Sequence, residues 1–311
     1  MVAAGVLFWL SKGLDLSRVL NGVRNSGKGA ILLAMVLSLL PIVVAGWRWR
    51  KLLAIFEIQV KLRTLVCIAQ IGQLFLMFLP GPLGDDLTRM LYISRFAKGK
   101  MEEACTSVLM DRCIGLASIL ILAVPCIPLQ WHFLVQNHQT HLMAAAMLAC
   151  GLFLVVLGIA WLMLKETSSK RLLMGCANLI PMERTREKLK NIISLICENR
   201  GTVVVVAIAA ITTQILLCAM YKVIGDAVGV HLPLRTWLGF APIILAANAV
   251  PVTIAGLGVR EYLLILFLGV MAHVQSETAL AASVIVLFLM VVSCSLGGAA
   301  YIFYKPGTDQ D

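Results

Sequence analysis

Three clusters of charged residues stand inside or beside apolar stretches of this chain, and these are the places where chemistry could occur. Asp85, Asp86 and Arg89 follow a proline- and glycine-rich break, Asp111 and Arg112 lie about two turns into an otherwise uncharged run, and Arg260 and Glu261 open a helical stretch after Gly258. A charge at the middle of a bilayer costs about 2.5–3.5 kcal/mol on insertion scales, and residues that bear this cost tend to be functional. Asp86 and Arg89 are three apart, so a helix would stack them on one face. Each cluster holds an acid and a base. Two readings follow: salt bridges that only neutralise the cost of burial, or a site where arginine forks grip a phosphate and the acids hold the forks in place.

Other chemistries find little support. The nine cysteines include no CxxC pair, and most lie inside apolar runs, where cysteine acts as a small buried hydrophobe. The five histidines fall in short connections without HExxH spacing. The chain has no Walker A loop and no Gly-x-Ser-x-Gly elbow. Gly256-Leu-Gly258 lacks the third glycine and the βαβ setting of a dinucleotide loop. The expectation is therefore a protein that is not an enzyme, with no catalytic residue, metal or cofactor.

The elements that must position these charges are set by composition. Of 311 residues, 60% are hydrophobic and 14% charged, against about 45–50% and 25% in soluble domains. No soluble fold of this length hides that much apolar surface, whereas lipid covers it, so the chain reads as an all-α polytopic membrane protein. The formal net charge of +10 gathers in loops beside apolar runs, as in anchoring to anionic lipid, and not in a nucleic-acid footprint. About 20 apolar residues cross the hydrocarbon. Runs free of Asp, Glu, Lys and Arg cover 29–47, 64–84, 113–164, 201–221, 236–259, 262–276 and 278–304. The polar stretch 130–141 divides the longest into helices near 104–128 and 142–164, and the apolar opening 1–10 is too short to span alone. These runs give about six to seven spanning helices.

Loop charge sets the expected orientation. The loop 165–200 carries eight Lys or Arg and is placed in the cytoplasm, while 130–141 carries none and faces out. Residues 85–103 and Arg48–Arg63 are then cytoplasmic, so both flanks of 64–84 lie on one side. That parity predicts a re-entrant hairpin from the cytoplasm, broken at Pro80, Gly81 and Gly84. Residues 236–272 start and finish outside by the same count and are broken at Pro251, Gly256 and Gly258. Paired broken segments of opposite sense mark inverted-repeat transporters, whose sites lie where the breaks meet. Amphipathic stretches at 12–28 and 181–200 are expected to lie in the interface, the first with Asp15 as N-cap and Gly27 as C-cap. The whole of 1–311 reads as one integral-membrane domain with its C-terminus in the cytoplasm.

The motifs Pro80-Gly-Pro-Leu-Gly-Asp-Asp-Leu-Thr-Arg89, Leu109-Met-Asp-Arg-Cys-Ile-Gly115 and Pro251-Val-Thr-Ile-Ala-Gly-Leu-Gly-Val-Arg-Glu261, with the Arg48-Trp49 pair after a span, resemble those of the lysylphosphatidylglycerol synthase transmembrane-region family, also called flippase-like domain proteins. Asp85 and Ala255 stand where that family often has glycine. The resemblance implies movement of lipids or lipid-linked glycans between leaflets. It puts Asp86, Arg89, Asp111, Arg112, Arg260 and Glu261 in a substrate site. Larger members carry a soluble aminoacyltransferase domain, and with the chain ending at Asp311 no lysine transfer is expected. The expected function is a flippase or scramblase-like transporter of an anionic phospholipid or polyprenyl-phosphate lipid in the inner (plasma) membrane. The alternatives are an integral-membrane enzyme acting on lipid head groups, or an accessory subunit of a lipid or glycan synthesis system. Expected partners are membrane lipids, anionic ones above all, with lipid or glycan synthesis enzymes beside them and no nucleic acid.

Overall fold

The structure is a computed structural model that describes residues 23–24, 27–79, 83–97, 99–128, 138–163, 183–249 and 257–303. Those residues form ten α-helices and no strand: α1 Lys28–Ile55, α2 Leu62–Phe75, α3 Leu83–Ile93, α4 Met101–Cys126, α5 His138–Met163, α6 Glu183–Glu198, α7 Arg200–Ala227, α8 Leu234–Ala249, α9 Val259–Ala272 and α10 Ser276–Phe303. Four of them, α1, α4, α7 and α10, are long and apolar enough to cross a membrane. α2, and the stretch Ala145–Trp161 within α5, are apolar but shorter. At 1.5 Å per residue the 28 residues of α1 reach about 42 Å and the 14 of α2 only about 21 Å, short of a hydrocarbon core of about 30 Å.

The long helices turn apolar faces outward. Leu32, Val36, Phe153, Val156 and Ile302 are all exposed, and side chains of this kind over so much surface require lipid rather than water around them. Within the expected amphipathic stretch 181–200, residues 183–198 form α6 and Arg200 begins α7. Most of 12–28 lies outside the described residues, and Gly27 stands at the N-cap of α1, its carbonyl accepting from the Ala30 and Ile31 amides at 2.9 and 3.2 Å.

The first correction concerns Arg48–Arg63, read from the sequence as a loop. Residues 48–55 continue α1, with Arg48 and Trp49 buried, and only 56–61 connect it to α2. A cluster of basic residues after an apolar run looks like the end of a span, but here buried partners draw the helix onward. Trp49 Nε1 donates to Ser107 Oγ on α4 at 3.0 Å. In the connection, Lys100 Nζ donates to Glu57 Oε2 at 2.8 Å. That hydrogen bond and the lysine charge hold the exposed Glu57 carboxyl below the usual carboxylate range.

Helix α2 doubles back onto α3. A Cβ added at Gly72 would meet Asp85 Oδ1, and one at Gly84 would lie 2.2 Å from the Phe75 carbonyl oxygen, so the two backbones touch at the turn. The expected break residues Pro80 and Gly81 lie outside the described residues, as do Pro251 and Gly256 of the second break. Gly258 is described: it caps α9 with φ +90°, a backbone conformation that any side chain would strain.

Helix pairing repeats between the two halves. α1 packs on α2, α2 on α3, α3 on α4 and α1 on α4; likewise α7 packs on α8, α8 on α9, α9 on α10 and α7 on α10. Between halves, α2 meets α10 as α8 meets α4, and α1 meets α10 as α7 meets α4. The axis of this exchange is the long α1–α7 pair. Leu52 and Ile55 at the end of α1 cluster with Val203 and Val206 near the start of α7. Ala34, near the start of α1, shares the main core with Met220, Tyr221 and Ile224 at the other end of α7. The two helices therefore run antiparallel.

Candidate functional site

The charged clusters converge on one cavity of about 410 Å³, walled by residues of both halves. α1 supplies Arg48 and α3 supplies Asp85, Asp86 and Arg89, while α4 supplies Asp111 and Arg112. Gln214 of α7, Asn248 of α8 and Arg260 of α9 add to the polar wall, with Ser38, Gln73, Thr213 and Ser293 beside them. Apolar side chains, including Leu76, Leu116, Leu217 and Met290, make up much of the remainder.

The pairing inside the clusters differs from the sequence expectation. Asp111 does not pair with its neighbour Arg112, because adjacent residues on a helix point in different directions. It accepts from Arg48 Nε at 2.5 Å and Nη2 at 2.9 Å, a fork on both carboxylate oxygens, and from Arg89 Nη1 at 3.2 Å. Arg89 does not take Asp86, three residues back, but Asp85, four back, through Nε at 2.8 Å. Asp86 instead receives Arg112 Nε at 3.1 Å. The result is a chain Arg48–Asp111–Arg89–Asp85 that ties α1, α3 and α4 together, with Asp86–Arg112 beside it. The Arg89 guanidinium also lies 5.6 Å from the centre of the Trp49 ring, a favourable place for a cation.

These ties need close backbones. Asp85 fits only because position 72 is glycine, and both Asp85 and Asp86 occupy the first turn of α3, where the helix dipole favours negative charge. Burial is deep for three of the four arginines. Side-chain exposure is 7% for Arg48, 9% for Arg89 and 3% for Arg260, against 31% for Arg112. Arg112 nevertheless has one nitrogen, Nη2, sealed from solvent without a protein partner, and Asn248 Oδ1 is in the same condition. Buried polar groups without partners are rare enough that each calls for an account, and both residues line the cavity.

The second half repeats the arrangement with weaker charge. Where Arg89 and Asp86 tie α3 to α4, Arg260 ties α9 to α10: its Nε donates to Ser283 Oγ at 3.1 Å and its Nη2 to Glu261 Oε1 at 2.8 Å. Ser283 Oγ also donates to Glu261 Oε1 at 2.7 Å. The other oxygen of Glu261 accepts the Gly258 amide at 2.5 Å. Glu261 is not on the cavity wall; it holds Arg260 in place and closes the start of α9.

Of the six expected site residues, five line the cavity and Glu261 braces one of them. Arg48, Gln214 and Asn248 belong to the same wall and went unread as site residues. Arg48 stood only in a weak motif after a span. Gln214, which donates to Ser118 Oγ on α4 at 3.3 Å, follows Thr212 and Thr213, and both it and Asn248 are uncharged polar residues within apolar runs. Polarity at such depth was the signal available for both.

A cavity with charged and apolar walls, set among helices whose outer faces are apolar, defines a polytopic integral-membrane protein with an interior site. The chain belongs to the family described as the lysylphosphatidylglycerol synthase TM region, whose family model matches residues 1–298. A comparison with curated proteins finds no match.

Proposed function

We propose that this protein carries a phosphate-bearing lipid between the leaflets of the inner (plasma) membrane, its head group passing through the cavity while its acyl chains stay in the bilayer. The observation that carries the reading is Arg112 Nη2, a buried guanidinium nitrogen without a partner on the wall of a cavity large enough for a head group. Guanidinium forks suit phosphate oxygens, and pockets of about 300–1,000 Å³ take small molecules. The apolar part of the wall suits the glycerol and first methylenes of a lipid, not a free ion. Membership of a family of flippase-like membrane regions supports the same reading.

In this proposal α1, α4, α5, α7 and α10 cross the bilayer. The hairpins α2–α3 and α8–α9 enter from the cytoplasmic and outer faces, so the segment 165–200 and the C-terminus lie in the cytoplasm. The repeated helix pairing about an antiparallel α1–α7 pair supports opposite entry. Purified protein in liposomes with fluorescent phospholipids tests the function. Wild type should speed leaflet exchange above protein-free vesicles, and Arg112→Lys, which keeps the charge but loses the fork, should slow it about tenfold with the fold intact. Wild-type exchange no faster than in empty vesicles, for every phospholipid tried, would end the proposal.

A further inference from the structure

We infer that the head group taken by this cavity is zwitterionic, carrying one phosphate and one ammonium, rather than purely anionic. The inference rests on the lipid reading above and departs from the anionic class expected from sequence.

The charges of the site balance. Arg48, Arg89, Arg112 and Arg260 are matched by Asp85, Asp86, Asp111 and Glu261, and every acid is bound to an arginine. No net positive field is left over to attract an anion. Three of the arginines are held fast. Arg48 forks onto Asp111, Arg89 bridges Asp85 and Asp111, and Arg260 is braced by Glu261 and Ser283. Asp86–Arg112 is the exception: a single contact of 3.1 Å, with side chains 20% and 31% exposed. It is the pair a ligand can open.

Consider what opening it requires. A phosphate that forks onto both Nε and Nη2 of Arg112 displaces Asp86 from Nε. A purely anionic head group would leave that carboxylate, only 20% exposed, without a counter-charge, and an uncompensated, largely buried charge is unfavourable. A ligand ammonium placed on Asp86 removes the difficulty. Phosphate replaces Asp86 on Arg112, ammonium replaces Arg112 on Asp86, and no charge is left unpaired. The two unpartnered groups of the wall ask for the same ligand: Arg112 Nη2 needs an acceptor and Asn248 Oδ1 needs a donor.

Binding of dioctanoyl phosphatidylethanolamine, dioctanoyl phosphatidylglycerol and free glycerophosphoethanolamine to the purified full chain in detergent, followed by native mass spectrometry, tests this. Wild type should bind the ethanolamine lipid about tenfold more tightly than the glycerol lipid, and glycerophosphoethanolamine far more weakly than either. Asp86→Asn removes the carboxylate that selects the ammonium and should reverse the order of the two lipids. Equal or tighter binding of phosphatidylglycerol by wild type overturns the inference, as does an unchanged order in Asp86→Asn. Glycerophosphoethanolamine bound as tightly as the lipid would make the ligand a soluble phosphate and overturn it too. The lipid reading beneath fails in a different way: wild type binds neither lipid, or Arg112→Ala leaves both affinities unchanged.

Discussion

At the scale of the residue, what matters is which acid each arginine holds. Asp111 serves Arg48 and Arg89 together, so Asp111→Asn leaves the buried Arg48 without a carboxylate and Arg89 with Asp85 alone. Loss of one partner from a buried pair costs roughly 3–5 kcal/mol, and the detergent-solubilised variant should melt well below wild type in a thermal-shift measurement. The pairing also decides which double substitution is harmless. Asp111→Leu with Arg112→Leu removes two residues that are not partners, so the second change should not restore the stability lost in the first. Asp86→Leu with Arg112→Leu removes a true pair and should recover most of the stability that Asp86→Leu alone gives up. A double-mutant cycle of melting temperatures reads the coupling directly. Recovery in the Asp111–Arg112 double variant instead would show that the two side chains act on each other. The Asp86–Arg112 double variant should be folded and inactive in leaflet exchange, since it lacks the one open fork.

Between elements, glycine sets how closely the short helices can sit. The α2–α3 turn closes at Gly84, and α2 meets α10 where a Cβ at Gly297 would lie 2.2 Å from the Gln70 carbonyl oxygen. Gln70 Nε2 donates to the Ser293 carbonyl at 2.7 Å across the same contact, which a side chain at 297 would push apart. Gly84→Val and Gly297→Val should each cost about 1–3 kcal/mol of stability, the usual range for overpacking. Gly29→Val, where nothing lies within 4 Å, should cost no more than a few tenths of a kcal/mol beyond helix propensity. Melting temperatures of the three variants decide it, and equal losses would mean that the close approaches carry no weight. The α2–α3 turn was marked in the sequence by a proline- and glycine-rich interruption of an apolar run. The fit of Asp85 against α2 and of α2 against α10 was not, because the glycines that permit them, Gly72 and Gly297, lie in α2 and α10 away from that interruption.

For the whole molecule the issue is how the two halves face the membrane. In a background with all nine cysteines replaced, Glu57→Cys, in the α1–α2 connection, should react with a membrane-impermeant maleimide only from the cytoplasmic side. His231→Cys, between α7 and α8, should react only from outside. Both positions are exposed, so labelling reports sidedness and not burial. Reaction of both from one face would break the opposed entry of the hairpins and the transport path built on it.

The amino-acid sequence determined the class of the molecule by itself, because hydropathy and charge are summed along the chain: 60% apolar residues cannot be buried in water at this length. It also located the helices to within a few residues where an apolar run ended in polar ones, as at α4, α5, α7 and α10. It marked most of the charged wall, since a charge inside an apolar run stands out locally. Only the tertiary structure decided the partners. Asp111 and Arg112 are neighbours in the chain, but on a helix they turn toward different helices, one to α1 and α3 and the other to α3 alone. Arg48 resembled a span-flanking cation until Asp111, 63 residues away, explained its burial. Gln214 and Asn248 gain meaning only from the cavity they share with residues more than a hundred positions distant. A buried charge is placed by local composition, while its compensation depends on which helices pack together, and that is a property of three dimensions.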